Sequence, residues 1–177
     1  MKANRIAPLA VLLFAAGCVP SPPPPAPAPR PPVATRPAPP PPAPPVPANW
    51  RDAPATPGTW TWASEAGRST ARYSLPGQPS LAALSCDAAT RTTNLWRTGT
   101  AGGTALLVVT ATSARRALTA GAAPTGGVTA SLPATDPLLD AIAFSRGRFM
   151  LETPGNPPLY LPSWPELSRV VEDCRKG

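Results

Sequence analysis

Between residues 20 and 47 the chain places 17 prolines in 28 positions. No other feature limits the fold so severely. Proline lacks a backbone N–H and fixes φ near −65°, so such a run cannot form a helix interior or a central strand. Alanine is its main companion, which leaves no side chains to build a core. The preferred conformation is polyproline II, and thirty residues at about 3.1 Å each would reach roughly 90 Å when extended. The run reads as a stiff spacer. The alternative is a ligand for a proline-binding groove or a cell-wall contact. Folding is left to roughly residues 50–177, one domain of ordinary size.

Ahead of the prolines, Lys2 and Arg5 precede an apolar run of 11 residues, Ile6 to Ala16. That length suits a secretory signal and is too short to span a bilayer as a helix. Ala15, Ala16 and Gly17 lead into Cys18. The stretch Leu12-Leu13-Phe14-Ala15-Ala16-Gly17-Cys18 resembles the lipobox of bacterial lipoproteins, Leu-(Ala/Ser)-(Gly/Ala)-Cys, with Ala15 where that family prefers leucine. The resemblance covers residues 1–19. It implies cleavage before Cys18, a diacylglycerol on its thiol and acylation of the new amino group. Two or three acyl chains hold a protein at a bilayer, whereas one binds reversibly. Val19, rather than an acidic residue, implies outer-membrane sorting in a Gram-negative cell. A plain signal cut near Gly17 is the alternative. The organisation expected is a signal over 1–17, a lipid-anchored tether over 18–49 and a folded envelope domain over 50–177.

The formal charge of +7 falls to +3 in residues 50–177, where 12 basic side chains face 9 acidic ones. There is no basic run, so nucleic acid is not an expected partner. The chain has no histidine. That removes the commonest general base, the commonest metal ligand and every Ser-His or Cys-His pair. With Cys18 taken by lipid, Cys86 and Cys174 remain in a compartment where disulfides persist. A bridge between them would close a loop of about 88 residues, contributing roughly 4 kcal/mol by chain entropy. Two buried free thiols are the alternative.

Short strands fill the domain. Gly58 to Ala63 places Trp60 and Trp62 on one face. Ser69 to Ser74 follows a turn at Gly67, and Leu81 to Cys86 forms a hairpin with Arg91 to Arg97 through a turn at Asp87. Ala105 to Thr112 is the most apolar β-branched run and is expected to be central. Shorter strands are expected at Ala117 to Thr119, Val128 to Leu132, Arg148 to Thr153 and Leu159 to Leu161, with residues 120–127 loose.

Asp136-Pro137 is a helix start and Gly147 a plausible stop, predicting a helix over 137–145. Ser163-x-x-Glu166 has the form of a capping box, and Leu167, Val170, Val171 and Cys174 follow on one helical face. Arg169 and Asp173 are spaced as a surface pair. Together these predict an α+β fold: a mostly antiparallel sheet or small partly open barrel, one short inserted helix and a C-terminal helix.

Little in this pattern carries chemistry. The acidic pairs Asp136/Asp140 and Glu172/Asp173 are explained by a helix cap and solvated helix faces. No Gly-x-Ser-x-Gly elbow occurs. The chain reads as non-catalytic, with no cofactor or metal. Arg146 and Arg148, flanking Gly147, are candidate contacts for a partner, although cation placement at a helix C-terminus is the favoured account of them. Trp50, at the joint with the tether, is a third candidate.

The lipobox, the proline tether, Leu84-Ser85-Cys86-Asp87, Ser145-Arg146-Gly147-Arg148-Phe149 and the ending Leu161 to Arg175 make the chain similar to small Gram-negative lipoproteins for which no activity is established. By architecture alone it also resembles envelope lysozyme-inhibitor lipoproteins. The expected function is a membrane-anchored domain that binds an envelope protein or peptidoglycan or has a structural role. An inhibitor of a cell-wall glycan hydrolase is the alternative, with a cell-wall hydrolase behind it.

Overall fold

The computed structural model describes residues 49–176. The signal, Cys18 and the proline-rich segment lie outside them. Nine strands appear in the order β1 (Thr59–Glu65), β2 (Arg68–Ser74), β3 (Ala82–Asp87), β4 (Thr92–Arg97), β5 (Ala105–Thr110), β6 (Arg115–Ala122), β7 (Val128–Pro133), β8 (Arg148–Glu152) and β9 (Leu159–Pro162). Helix α1 (Pro137–Ala143) lies between β7 and β8, and α2 (Pro165–Lys176) follows β9.

The strands form one sheet in the order β1-β2-β3-β4-β7-β6-β5-β8-β9, antiparallel at every pairing. The first four are a meander of hairpins. Ala66 (φ 48°) and Gly67 (φ 75°) close the β1–β2 turn, both left-handed as a two-residue hairpin requires. At the β3–β4 turn the Asp87 carboxylate accepts from the N–H groups of Ala89 (3.1 Å) and Thr90 (3.4 Å). Strand β7 then returns to pair with β4. Strand β6 belongs to both halves. Its residues 115–120 pair with β5, and Gly121 and Ala122 pair with β7.

One face of this sheet is the core. Ala71, Tyr73, Leu84, Cys86, Leu95, Leu107, Val109, Phe149 and Leu151 alternate inward. Helix α2 lays Leu167, Val170, Val171 and Cys174 on β2 and β3. Cys174 is bonded there to Cys86, with a Cα–Cα distance of 5.4 Å. Helix α1 buries Leu138, Leu139 and Ile142.

The expected α+β class is corrected. Of the described residues 43% are strand and 15% helix, so the fold is a strand-dominated antiparallel sheet with two short helices. The partly open barrel is corrected as well. The sheet is open, with β1 and β9 as its edges and no ladder between them. The edges approach through side chains and the segment before β1. Trp60 Nε1 donates to Pro162 O (2.8 Å), Thr56 N to Tyr160 O (2.9 Å) and Tyr160 N to Thr56 Oγ1 (2.9 Å). These bonds occupy the place of a closing strand pair.

Several local expectations also change. Strand β6 extends to Ala122 rather than stopping at Thr119, because its far end is needed to pair with β7. Helix α1 ends at Ala143, with the Phe144 N–H bonding Asp140 O, so Gly147 lies beyond its cap. No capping box forms at α2. The helix starts at Pro165, and the Ser163 hydroxyl donates to Ile142 O (2.8 Å) instead, tying the two helices' neighbourhoods together. The Arg169–Asp173 pair is replaced by contacts to the sheet. The Arg169 guanidinium stacks 3.8 Å over the Trp62 ring, and Asp173 accepts from Ser69 Oγ (2.6 Å).

Candidate ligand-binding cleft

The solvent face of the meander, opposite α2, carries a cleft of about 640 Å³. Its position follows from the two-residue period of a strand. Burying Ala71, Tyr73, Leu84 and Leu95 turns Arg68, Thr70 and Arg72 of β2, Ala83 and Ser85 of β3, and Trp96 of β4 to the other side. Register aligns them in rows. Arg72 stands opposite Ala83, and Ala83 opposite Trp96. The next row is Thr70, Ser85 and Asn94. Two loops rise as walls, Pro79-Ser80 before β3 and Thr125 to Gly127 before β7.

The central row defines the width. Neighbouring strands lie about 4.8 Å apart, so Arg72 and Trp96 are rooted roughly 10 Å from one another across Ala83. A methyl group floors the space between a guanidinium and an indole. The indole is fixed in place, with Nε1 donating to Gly126 O (2.8 Å). Gly127 (φ 83°) makes that approach possible. A Cβ there would sit 2.3 Å from Arg97 O and 2.8 Å from Trp96 Nε1.

The lining has two arginines, Arg68 and Arg72, and no acidic residue. Neither arginine forms an ion pair among the described residues. Arg68 has Glu65 and Asp87 as its cross-strand neighbours, which temper its charge, whereas Arg72 faces Thr61 and Ala83. The positive potential is therefore strongest at the Arg72 end.

Beneath the cleft rim lies a different arginine. Arg97 is 2% exposed and has no carboxylate partner among the described residues. It donates to three carbonyl oxygens, from Nη1 to Leu151 (3.0 Å), Nη2 to Pro157 (2.8 Å) and Nε to Thr98 (3.0 Å). Burial lowers its pKa from the ordinary arginine value. It clasps the end of β4 to the β8–β9 region and is structural.

The residues singled out from sequence lie elsewhere. Arg148 starts β8, and its guanidinium donates to the carbonyl oxygen of Ala53. Arg146 is exposed, with its backbone N–H bonded to Thr112 Oγ1 (2.9 Å). Helix α1 has no basic residue in its last turn, so neither arginine serves as a cation at that terminus. Trp50 is half-buried, 4.9 Å from the Arg51 guanidinium. Arg51 Nη2 reaches Thr112 O at 3.5 Å, so Thr112 links the start of the domain to the loop bearing Arg146. These contacts fasten the start of the domain to the sheet and do not reach the cleft.

Asp136 and Asp140 are committed to structure. Asp136 caps α1 by accepting from Leu138 N (2.8 Å) and also receives Arg116 Nη2 on both oxygens (2.7 Å). Burial opposes ionisation of this carboxyl, but the hydrogen bonds from Arg116 and Leu138 and the Arg116 charge outweigh it and lower the pKa. Asp140 takes both ends of Arg175 at 2.9 Å, and its hydrogen bond raises the arginine pKa. Among the described residues no cluster of acidic or cysteine side chains could hold a metal ion.

The cleft is not legible from one strand at a time, because it forms only when β2, β3 and β4 meet in register. The available signal was Arg-x-Thr-x-Arg in β2 beside Ala-x-Ser in β3, a charged row facing a row of small side chains. Comparison with family models, with curated proteins and with solved structures finds no match to this chain.

Proposed function

We propose that the chain is an exported lipoprotein, held in the cell envelope through acylated Cys18, whose domain is a non-catalytic binding module. The proline-rich segment holds that module away from the bilayer, and the cleft on β2, β3 and β4 is its binding surface. The observation that carries this reading is the lining of the cleft. It offers guanidinium, hydroxyl and indole groups suited to gripping a ligand. The lining holds no carboxylate, thiol, amine or imidazole, so a general base is not supplied from within it. The Cys86–Cys174 bridge supports export, since such bonds persist in oxidising compartments. Among the described residues no helix is long and apolar enough to cross a membrane, which is compatible with an anchor that lies outside them.

The anchor is tested by feeding cells radiolabelled palmitate. The wild-type chain is expected to carry label and to fractionate with membranes, whereas Cys18→Ser carries none. Equal labelling of the two proteins would overturn the anchor.

A further inference from the structure

We propose that the trough between Arg72 and Trp96 binds a carboxylate-bearing saccharide, with the acid on Arg72 and a sugar ring over Ala83 against the indole. This deepens the reading of the domain as a binding module and rests on it.

The dimensions come first. Two strand spacings separate Arg72 from Trp96, roughly 10 Å between backbones. Side chains projecting from both take up part of that width and leave room for one ring. Ala83 keeps the floor low, and no bulkier side chain intrudes in that row.

Chemistry narrows the class. A planar guanidinium grips a carboxylate through two parallel hydrogen bonds, a geometry that adds direction to attraction. Arg72 is free of ion pairs among the described residues, so binding displaces water rather than a protein partner. Thr70, Ser80, Ser85 and Thr98 bring hydroxyl groups to the lining, each able to donate and accept. That pairing capacity suits the hydroxyls of a sugar. An apolar peptide side chain would find no enclosed greasy pocket here. A nucleic acid would meet only two cations, in a domain whose excess charge is +3.

Preorganisation favours the same occupant. The bond from Trp96 Nε1 to Gly126 O fixes the indole before any ligand arrives, so little ordering remains on binding. Arg68 sits four residues along β2, about 13 Å from Arg72 in backbone terms. It extends the trough beyond one ring, so a chain of sugars is preferred to a single one. With Glu65 and Asp87 beside it, Arg68 contributes less than Arg72.

The test is calorimetric titration of the purified full chain with three probes: a tetramer of a uronic acid, the neutral hexose tetramer of the same linkage, and inorganic phosphate. The uronate is expected to bind at least tenfold more tightly than either of the others and to quench tryptophan fluorescence. Arg72→Met and Ala83→Leu should each weaken it at least tenfold with the melting temperature unchanged, since both residues face solvent. Arg68→Met should weaken it less than threefold, and Trp96→Phe should abolish the quench. Absence of uronate binding would overturn the proposal, as would equal binding of the neutral tetramer or wild-type affinity in Ala83→Leu. Phosphate binding as tight as the uronate's would overturn the saccharide while leaving a binding module. Because the titration uses no membrane, its outcome is independent of lipid attachment at Cys18.

Discussion

Opening the Cys86–Cys174 bridge should lower the melting temperature by roughly 17 °C. The two cysteines are 88 residues apart in sequence. Closing a loop of that length removes about 15 cal/mol/K from the unfolded chain, or about 4.6 kcal/mol at 25 °C, an upper value before native-state strain. The described domain has 128 residues, from 49 to 176. At about 2.1 cal/mol/K per residue its unfolding entropy is roughly 0.27 kcal/mol/K, and dividing one by the other yields the shift. A second arm separates the loop from the sulfur. Thr93, fully buried, donates from Oγ1 to Cys174 Sγ (3.4 Å). Reduction leaves that acceptor in place, whereas Cys86→Ala/Cys174→Ala removes it and strands the hydroxyl at about 1 kcal/mol or more. The double variant should therefore melt about 4 °C or more below the reduced wild type. The assay is a calorimetric melt of oxidised, reduced and double-variant protein. A drop of under about 5 °C on reduction would refute the loop-entropy reasoning. A variant no less stable than the reduced protein would refute the role of Thr93.

Two further outcomes follow from the buried polar groups. Asp136→Ala removes a helix cap and the Arg116 partner, and should lower stability at pH 7 by about 1–3 kcal/mol in urea unfolding. Because the folded Asp136 pKa lies below its ordinary 3.8, this contribution is fully present above that value and is lost as pH falls through the folded pKa. The gap between wild type and variant should therefore narrow as pH falls below 3.8, and a gap that stays constant through the acid range would contradict the assignment. Arg97→Met deprives three carbonyl oxygens of a donor and should destabilise by at least about 2 kcal/mol, with Arg97→Lys recovering part. A denaturation midpoint within error of the wild type would show that Arg97 is no clasp.

Much of the strand pattern is legible before any coordinates, because alternation is a local property. Tyr73, Leu84 and Leu95 on one face, and Arg72, Ala83 and Trp96 on the other, follow from period two alone. Their assembly into one row does not, since register depends on the turns at Gly67 and Asp87 and on which strands meet. The placement of β7 between β4 and β6 is a long-range choice that neither strand encodes by itself. The α+β expectation failed for a similar reason. Two well-signalled helices drew attention out of proportion to their 19 residues (7 + 12), while β6 carried on through a glycine that read as loop. Ser163, Arg169 and Asp173 were misjudged because each had an attractive local partner and found a better one across the fold.

The attachment of α2 to β3 sets an order of events in biosynthesis. Synthesis from the amino end delivers β1 to β4 first. The β1–β2 and β3–β4 pairs can zip into hairpins, since only two and four residues join them. Their inner face, with Ala71, Tyr73, Leu84 and Leu95, then lies bare until Leu167, Val170 and Val171 arrive. Cys86 likewise waits for Cys174. During that interval the meander is a sticky, half-finished surface bearing an unspent thiol. Correct folding would depend on shielding of that surface and on an oxidation that comes late rather than early.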